Sequence, residues 1–424
     1  MGFQQGLSGL NGAAKNLDVI GNNIANASTI GFKSSATQFA DVYATSLYGA
    51  GGLQVGIGSK IADVAQQFTQ GSISTTNNPL DLAISGEGFF LINQGGATAY
   101  SRNGQFHLDK PDANGLSYII NNQSEQLMGY GVDANGNIVT ASPAPLQISF
   151  ADIAPSKTDN VYLVANLDST ETALSSAAFS TSNAATYHSA TSVTVYDTLG
   201  NSHALTLYFV KTASNTWDMY GDIDGAGIAN VDFDGSGSAA LAAGDPVTLT
   251  FDTDGALLTP TMPITGMEVT VSTGATTPLD FALDLTGTTQ YGSQFGVNSV
   301  SQDGYASGRL AGLSVAEDGT VLGRYTNSQS KVLGQVALAY FANTQGLQPV
   351  GNNLWIDSAE AGQAVIGAPG SGVLGVIQSG AVEESNVDLT AELVNLIVAQ
   401  RMYQANAQTV RAQDQILQTL VNLR

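Results

Sequence analysis

The sequence predicts a multidomain protein: mainly β modules (small barrels or sandwiches) inserted between N- and C-terminal α-helices that pair as a coiled coil. Three observations carry this reading. Both ends of the chain repeat apolar residues at alternating steps of four and three, the seam of a heptad helix. The long middle instead carries short β-branched and aromatic runs broken by Gly turns, with no sustained helical period. A length of 424 residues is also too great for one ordinary domain, at roughly 100–200 residues each.

At the N-terminus, Phe3, Leu7, Leu10, Ala14, Leu17, Gly21 and Ile24 follow the four/three rhythm. The helix is intrinsically weak, because Gly6, Gly9, Gly12 and Gly21 each cost about 1 kcal/mol relative to Ala. Its stability has to come from a partner. Residues 31–70, with Gly49, Gly51, Gly52, Gly56 and Gly58, predict an extended Gly-rich connector. Residues 71–145 plus 291–370 predict a discontinuous inner β domain. In it, Gly86-Glu87-Gly88 reads as a turn entering a buried strand at 89–92, and Asn135-Gly136 and Asp318-Gly319 predict hairpins. Pro143, Pro145 and Pro155 mark a boundary near 145. Beyond it, residues 146–290 predict an inserted acidic outer β domain. There the runs 193–196 and 205–209 flank a Gly-Asn turn, and Asp254-Gly255 follows the run 247–251, giving two more hairpins.

Residues 371–382 predict a second Gly-rich connector. The last apolar set is Leu389, Leu393, Leu396, Tyr403, Ala407, Val410, Leu417 and Val421, with Leu420 beside it. No Pro or Gly lies between Val387 and Arg424, which predicts one continuous helix about 57 Å long. Asn386 or Asp388 caps its start, and Asp388 and Glu392 suit the positive end of its dipole. Residues 1–30 and 383–424 thus form the expected terminal helical core.

Charge and motifs narrow the chemistry. The net charge is −22, and residues 145–290 alone hold 16 acidic and 2 basic residues. Such a field repels phosphates and argues against nucleic acid as a partner. Cys is absent, so no disulfide or thiolate metal site is expected. His107, His188 and His203 have no carboxylate at metal spacing. No Gly-x-Ser-x-Gly elbow occurs, and Gly86-Glu87-Gly88-Phe89-Phe90 lacks the Lys-Ser/Thr of a phosphate loop. A calcium loop starting at Asp232 would need an acidic twelfth residue, where Ala243 stands. Turn chemistry accounts better for Asp222-Ile223-Asp224-Gly225 and Asp232-Phe233-Asp234-Gly235. A glycan-cleaving enzyme would need two converging carboxylates, and no pattern selects such a pair. The expectation is therefore no catalytic residue, no metal and no cofactor. No apolar run approaches the ~20 residues that span a bilayer, so no membrane insertion is expected. A basic and apolar secretory leader is missing as well, so composition alone points to a soluble cytosolic chain. A phage-tail or adhesin-like β protein would share this composition but not heptads at both extremes.

The sharpest signal is Gly21-Asn22-Asn23-Ile24-Ala25-Asn26-Ala27-Ser28-Thr29-Ile30-Gly31-Phe32-Lys33. Asn is unfavourable inside a helix, so Asn22, Asn23 and Asn26 read as amides that satisfy backbone where a helix ends. Gly31 supplies the positive φ of a helix stop and Phe32 anchors the exit. This segment resembles the signature of the flagellar rod, hook and hook-associated axial proteins. The closing helix is similar independently: Glu383-Glu384-Ser385-Asn386-Val387-Asp388-Leu389, then 392–408, then Asp414-Gln415-Ile416-Leu417. Residues 79–90 resemble the segment this family shares after its first connector. The runs 302–308 and 346–355 are similar to hook-type members rather than to distal rod or hook-associated ones. The resemblance covers nearly all of 1–145 and 290–424 and is weaker in between, where the small-residue run 173–186 departs from it.

The resemblance implies a structural subunit, not an enzyme. It implies an extracellular tubular polymer joining rod to filament, a flexible universal joint that transmits motor torque. Its implied partners are copies of itself in a helical homopolymer, the distal rod protein, the hook cap and the hook–filament junction proteins. It further implies export by the flagellar type III apparatus without a cleaved signal peptide, which sets aside the cytosolic reading. The assembly interface implied is Phe3, Leu7, Leu10, Ala14, Leu17, Ile24, Leu389, Leu393, Leu396, Tyr403, Ala407, Val410, Leu417 and Leu420.

Overall fold

The computed structural model describes residues 2–42, 56, 58–133, 136–233 and 244–422. The expected Gly49, Gly51 and Gly52, the turn residue Asn135, and Asp234, Gly235 and Ala243 lie outside the described residues, as does the side chain of Leu420. The chain divides into two compact units: Met1–Phe150 with Ala311–Arg324 and Ser330–Arg424, and Ala151–Leu310 with Tyr325–Gln329.

The first unit contains both long helices, α1 (Gly2–Ala25) and α2 (Leu389–Asn422). Asp388 caps α2, its Oδ1 accepting from the backbone N–H of Thr390 and Ala391 at 2.9 and 3.1 Å. Asn386, the alternative cap, is used elsewhere. Residues 31–70, expected as an extended connector, contain a paired antiparallel ribbon, β1 (Ser35–Val42) and β2 (Gly58–Gln66). Neither strand carries a regular apolar alternation, and a count of glycines gives no sign of the pairing. Residues 371–382, expected as the second connector, likewise pair: Val376–Ser379 with Leu82–Ser85, and Ala381–Glu383 with Ile73–Thr75.

The rest of the unit is a branched sheet. Its central order runs Ser330–Val336, Gln126–Tyr130, Phe89–Gln94, Ala97–Ser101, Leu354–Ile356 and Gln348–Gly351. One face buries Leu91 with Phe89, Tyr100, Phe341 and Trp355, and the four aromatic rings meet edge to face at centroid distances of 4.7–6.1 Å. The other buries Leu82, Ile84, Phe90, Ile92 and Phe106. The run 89–92 is buried on both faces, which is why it reads as continuously apolar.

The second unit is a β-sandwich. One sheet orders Ser189–Tyr196, Ser202–Ala213, Thr216–Ile223, Val247–Phe251 and Leu257–Thr259, all antiparallel. The expected 193–209 hairpin is its first pair, with Gly200 at φ 84° in the turn. The other sheet is centred on Asn160–Asp168, which pairs parallel with Leu279–Asp284 and Thr289–Tyr291 and antiparallel with Gly296–Gln302. Residues from both sheets, including Val161, Leu163, Leu207, Phe209, Trp217, Met267 and Phe281, share one core. Residues 173–186 fold as a strap of two 3₁₀ turns, anchored by Phe179 stacking on Tyr220 at 4.0 Å.

Candidate assembly interface

The helices pair, but through the small residues of α1. A Cβ at Gly6 would lie 3.0 Å from Val410 Cγ2, and one at Gly9 would lie 2.8 Å from Asn406 Oδ1. At the other end, Asn23 Nδ2 donates to Glu392 Oε1 at 3.2 Å. The two helices therefore run antiparallel. The buried face of α1 includes Gly6, Ala13, Ile20 and Asn23, each one position ahead of Leu7, Ala14, Gly21 and Ile24 in the expected seam. Close approach selects Gly and Ala at the contact, so Gly6 and Gly9, two of the four glycines that weaken the isolated helix, let it dock on α2, while Gly12 meets Phe39 and Gly21 meets nothing within 4 Å.

The expected seam residues are consequently left partly or largely uncovered. Phe3 is 43% and Leu7 44% exposed, while Leu10, Ala14, Leu17 and Ile24 are half-buried. On α2, Leu396, Ala407 and Val410 are half-buried against α1. Leu389, Leu393, Tyr403 and Leu417 are exposed, and Ile397 and Met402, which the heptad rhythm passes over, are 50% and 55% exposed.

The chain between helix and sheet is fixed by the Asn-rich signature. Asn23 is buried. Its Nδ2 donates to the Ser35 carbonyl at 2.8 Å and its Oδ1 accepts from Ser35 N–H at 2.9 Å, so one side chain ties α1 to the start of β1. Asn26 Nδ2 donates back to the Asn22 carbonyl at 2.9 Å, closing the last turn. Gly31 has φ +71°, and a Cβ there would meet Asn103 N at 2.6 Å, so only glycine fits. Its N–H donates to the Glu383 carbonyl at 2.8 Å. Phe32 is half-buried beside it.

At this junction lies a feature the sequence reading did not single out. The side chains of Lys33 and Glu383 are fully buried, and that of Arg102 is 5% exposed. Lys33 Nζ donates to Glu383 Oε1 at 2.6 Å, and Arg102 Nη1 donates to Glu383 Oε2 at 3.1 Å. Glu383 Oε1 also accepts from Gly71 N–H at 2.9 Å. Burial pushes both Lys33 and Arg102 below their ordinary pKa values, against the opposing pull of Glu383. Asn386 completes the junction, accepting from Ser34 N–H at 2.8 Å and donating to the Gln67 carbonyl at 2.7 Å. The available signal was a lone Lys closing one terminal motif and a Glu opening the other, in a chain with only 11% charged residues.

Two chain-terminal helices, paired with each other, rooted by a buried charge cluster and apolar on their outer side, define a structural subunit of the self-associating class. Residues 3–33 match the family described as Flagella basal body rod protein, 378–423 the Flagellar basal body rod FlgEFG protein C-terminal family, and 166–305 the Flagellar basal body protein FlaE D2 domain. The chain is 44% identical over 432 residues to the Flagellar hook protein FlgE of Salmonella typhimurium, covering 100% of both chains. It is 42% identical over 433 residues to that of Escherichia coli, again covering 100% of both. It is 33% identical over 451 residues to that of Borreliella burgdorferi, covering 99% of this chain and 98% of the other. Among solved structures, the Helicobacter pylori flagellar hook protein FlgE2 aligns at 13% identity with a TM-score of 0.48, over 73% of this chain and 99% of that one.

The chain belongs to the flagellar hook protein family, a family of structural proteins and not of enzymes. It is an extracellular component of the bacterial flagellum. No described helix is long and apolar enough to cross a membrane.

Proposed function

We propose that this chain polymerises into the tubular joint between rod and filament, and that the uncovered apolar residues of α1 and α2 are the surface through which copies associate. The observation that carries the reading is that Phe3, Leu7, Leu393 and Ile397 remain roughly half exposed in a single chain. Burying a Leu or Phe completely contributes about 1.5–3 kcal/mol, so covering the remaining half contributes on the order of 1 kcal/mol per residue. Over Phe3, Leu7, Leu389, Leu393, Ile397, Met402, Tyr403 and Leu417 this amounts to several kcal/mol in favour of association. The glycine-weakened α1 then gains its full order on assembly, coupling folding to polymerisation and holding back premature growth.

In this reading Asn22, Asn23, Asn26, Gly31 and Phe32 set the angle at which the helix pair leaves the β domain. The distal rod protein, hook cap and hook–filament junction proteins meet the ends of the polymer, and the flagellar type III apparatus delivers the subunit. The test is electron microscopy of full-length chain and of variants lacking 2–25 or 403–424 under polymerising conditions. The full chain forms tubes and neither truncation does; tubes from a chain lacking both segments would refute the reading.

A further inference from the structure

Among the described residues, three buried side-chain atoms lack a hydrogen-bond partner: Thr37 Oγ1, Arg102 Nε and Glu392 Oε2. Two of them, Thr37 and Glu392, line the same open cavity of about 210 Å³, formed between α1, β1 and α2. Coincidence of two orphaned oxygens in one small space is informative, because an unmade bond to a buried polar atom costs about 1–3 kcal/mol and is rarely retained without use. Asn16 and Asn395 line the same space and add amide oxygens, while Val19, Val398 and Met402 supply apolar walls. A lining that mixes oxygen acceptors with hydrocarbon suits a long side chain with an aliphatic stem and a donor-rich cationic head.

No Lys or Arg lines the cavity, and among the described residues Glu392 makes no ion pair. Its Oε1 accepts only the amide of Asn23. No described cation of this chain reaches the cavity, which leaves a second copy of the chain as a source. On the helix pair, Lys15 already approaches Asp18 at 3.9 Å. Arg401 and Arg411 are exposed on α2 and have no side-chain hydrogen bond or ion pair among the described residues. In a polymer of identical copies, a cation protruding from one helix pair and a socket on the next recur at every contact.

We infer that this cavity is a socket for an arginine of α2 from a second copy of the chain, with Glu392 and Thr37 accepting its guanidinium. The inference rests on the polymerisation reading and adds to it a register: the buried charge fixes how far neighbouring helix pairs slide past each other, whereas apolar contacts alone would tolerate several offsets.

The test uses the full-length chain and the critical concentration for polymer growth. Glu392→Gln keeps the acceptor for Asn23 but removes the charge, and Thr37→Val removes the hydroxyl alone. Each is expected to leave the monomer at least as thermally stable as the parent, Glu392→Gln raising the critical concentration about tenfold and Thr37→Val severalfold. Reciprocal swaps, Glu392→Arg with Arg401→Glu or with Arg411→Glu, identify the donor, and one of the two restores growth. If Glu392→Gln assembles like the parent, the socket is refuted while polymerisation stands. If it fails and neither swap rescues it, the arginine occupant is refuted. If the parent chain forms no polymer at all, the underlying reading falls instead.

Discussion

Glu383→Gln is the substitution whose cost follows most directly from the structure. The side chain is nearly isosteric, so packing is kept and only charge is lost. Glu383 holds two cations, Lys33 at 2.6 Å and Arg102 at 3.1 Å, at a point where all three side chains are essentially inaccessible to water. Breaking a buried ion pair by removing one partner costs about 3–5 kcal/mol, because the remaining charge stays buried and unpaired. Here two charges are stranded. Lys33 keeps the Thr69 carbonyl at 2.8 Å and at most a neutral amide oxygen in place of the carboxylate, and Arg102 keeps the Gly86 carbonyl at 2.9 Å. For a unit of this size, 1 kcal/mol moves the thermal midpoint by about 2–4 °C, so the expected drop is about 6–20 °C. Scanning calorimetry of the full chain reads it as a shift of the first unit's transition, with that of Ala151–Leu310 unmoved. The triple variant Lys33→Met, Arg102→Met, Glu383→Leu separates stranded charge from lost packing. Replacing all members of a buried ionic cluster by apolar residues of similar volume is often neutral or stabilising. The triple variant should therefore recover most of the loss. A shift below about 2 °C in Glu383→Gln, or a triple variant as unstable as the single one, would refute the reasoning.

Three further outcomes are expected. Gly9→Leu drives a side chain into Asn406 and should separate α1 from α2, seen as lost helical circular dichroism with the sheet transition intact. Gly31→Ala forces an L-residue to φ +71° and a Cβ against the Asn103 backbone; where an unstrained Gly→Ala change stabilises by about 0.4–1 kcal/mol, this one should destabilise the first unit by more than that and release the Gly31–Glu383 bond to fast amide exchange. His203 Nδ1 sits 2.6 Å from Asp224 Oδ2, and its Nε2 sits 3.3 Å from Asp197 Oδ2. Burial opposes its charge, but the bonds to Asp224 and Asp197 outweigh burial and hold its pKa above the ordinary 6.5. A raised folded value contributes stability that is fully present below 6.5 and is lost as pH climbs through that value. The second unit's midpoint should accordingly fall between pH 6 and pH 9, and His203→Gln should abolish that slope; a flat profile in the parent would contradict it.

Much of this architecture was legible because local and global signals agree. The heptads at both ends became helices, and the Gly-Asn and Asp-Gly turns became hairpins at 193–209, 247–259 and 310–325. The face of α1 was not legible, and the reason is steric. Apolar counting rewards Phe3 and Leu7, whereas a close antiparallel crossing is satisfied by Gly6 and Gly9, which score nothing in such a count. The paired ribbon at 35–66 was hidden for a related reason. Its strands are mostly exposed and polar, so neither strand presents the apolar alternation of a core strand. The junction of Lys33, Arg102 and Glu383 joins residues up to 350 positions apart, and sequence spacing carries no information about such a meeting. The sequence offers Asn23 as a helix-end amide, but its partners, Ser35 and Glu392, emerge only when three elements converge.

The central claim is that the terminal helices of one copy are incomplete and are finished by neighbouring copies. Amide hydrogen exchange compared residue by residue between monomer and polymer tests it most directly. Residues 2–25 and 389–422 should exchange quickly in the monomer and at least a hundredfold more slowly in the polymer, while the core strands Phe89–Gln94 and Gln126–Tyr130 stay protected in both. Terminal helices already as protected in the monomer as in the polymer would contradict the claim.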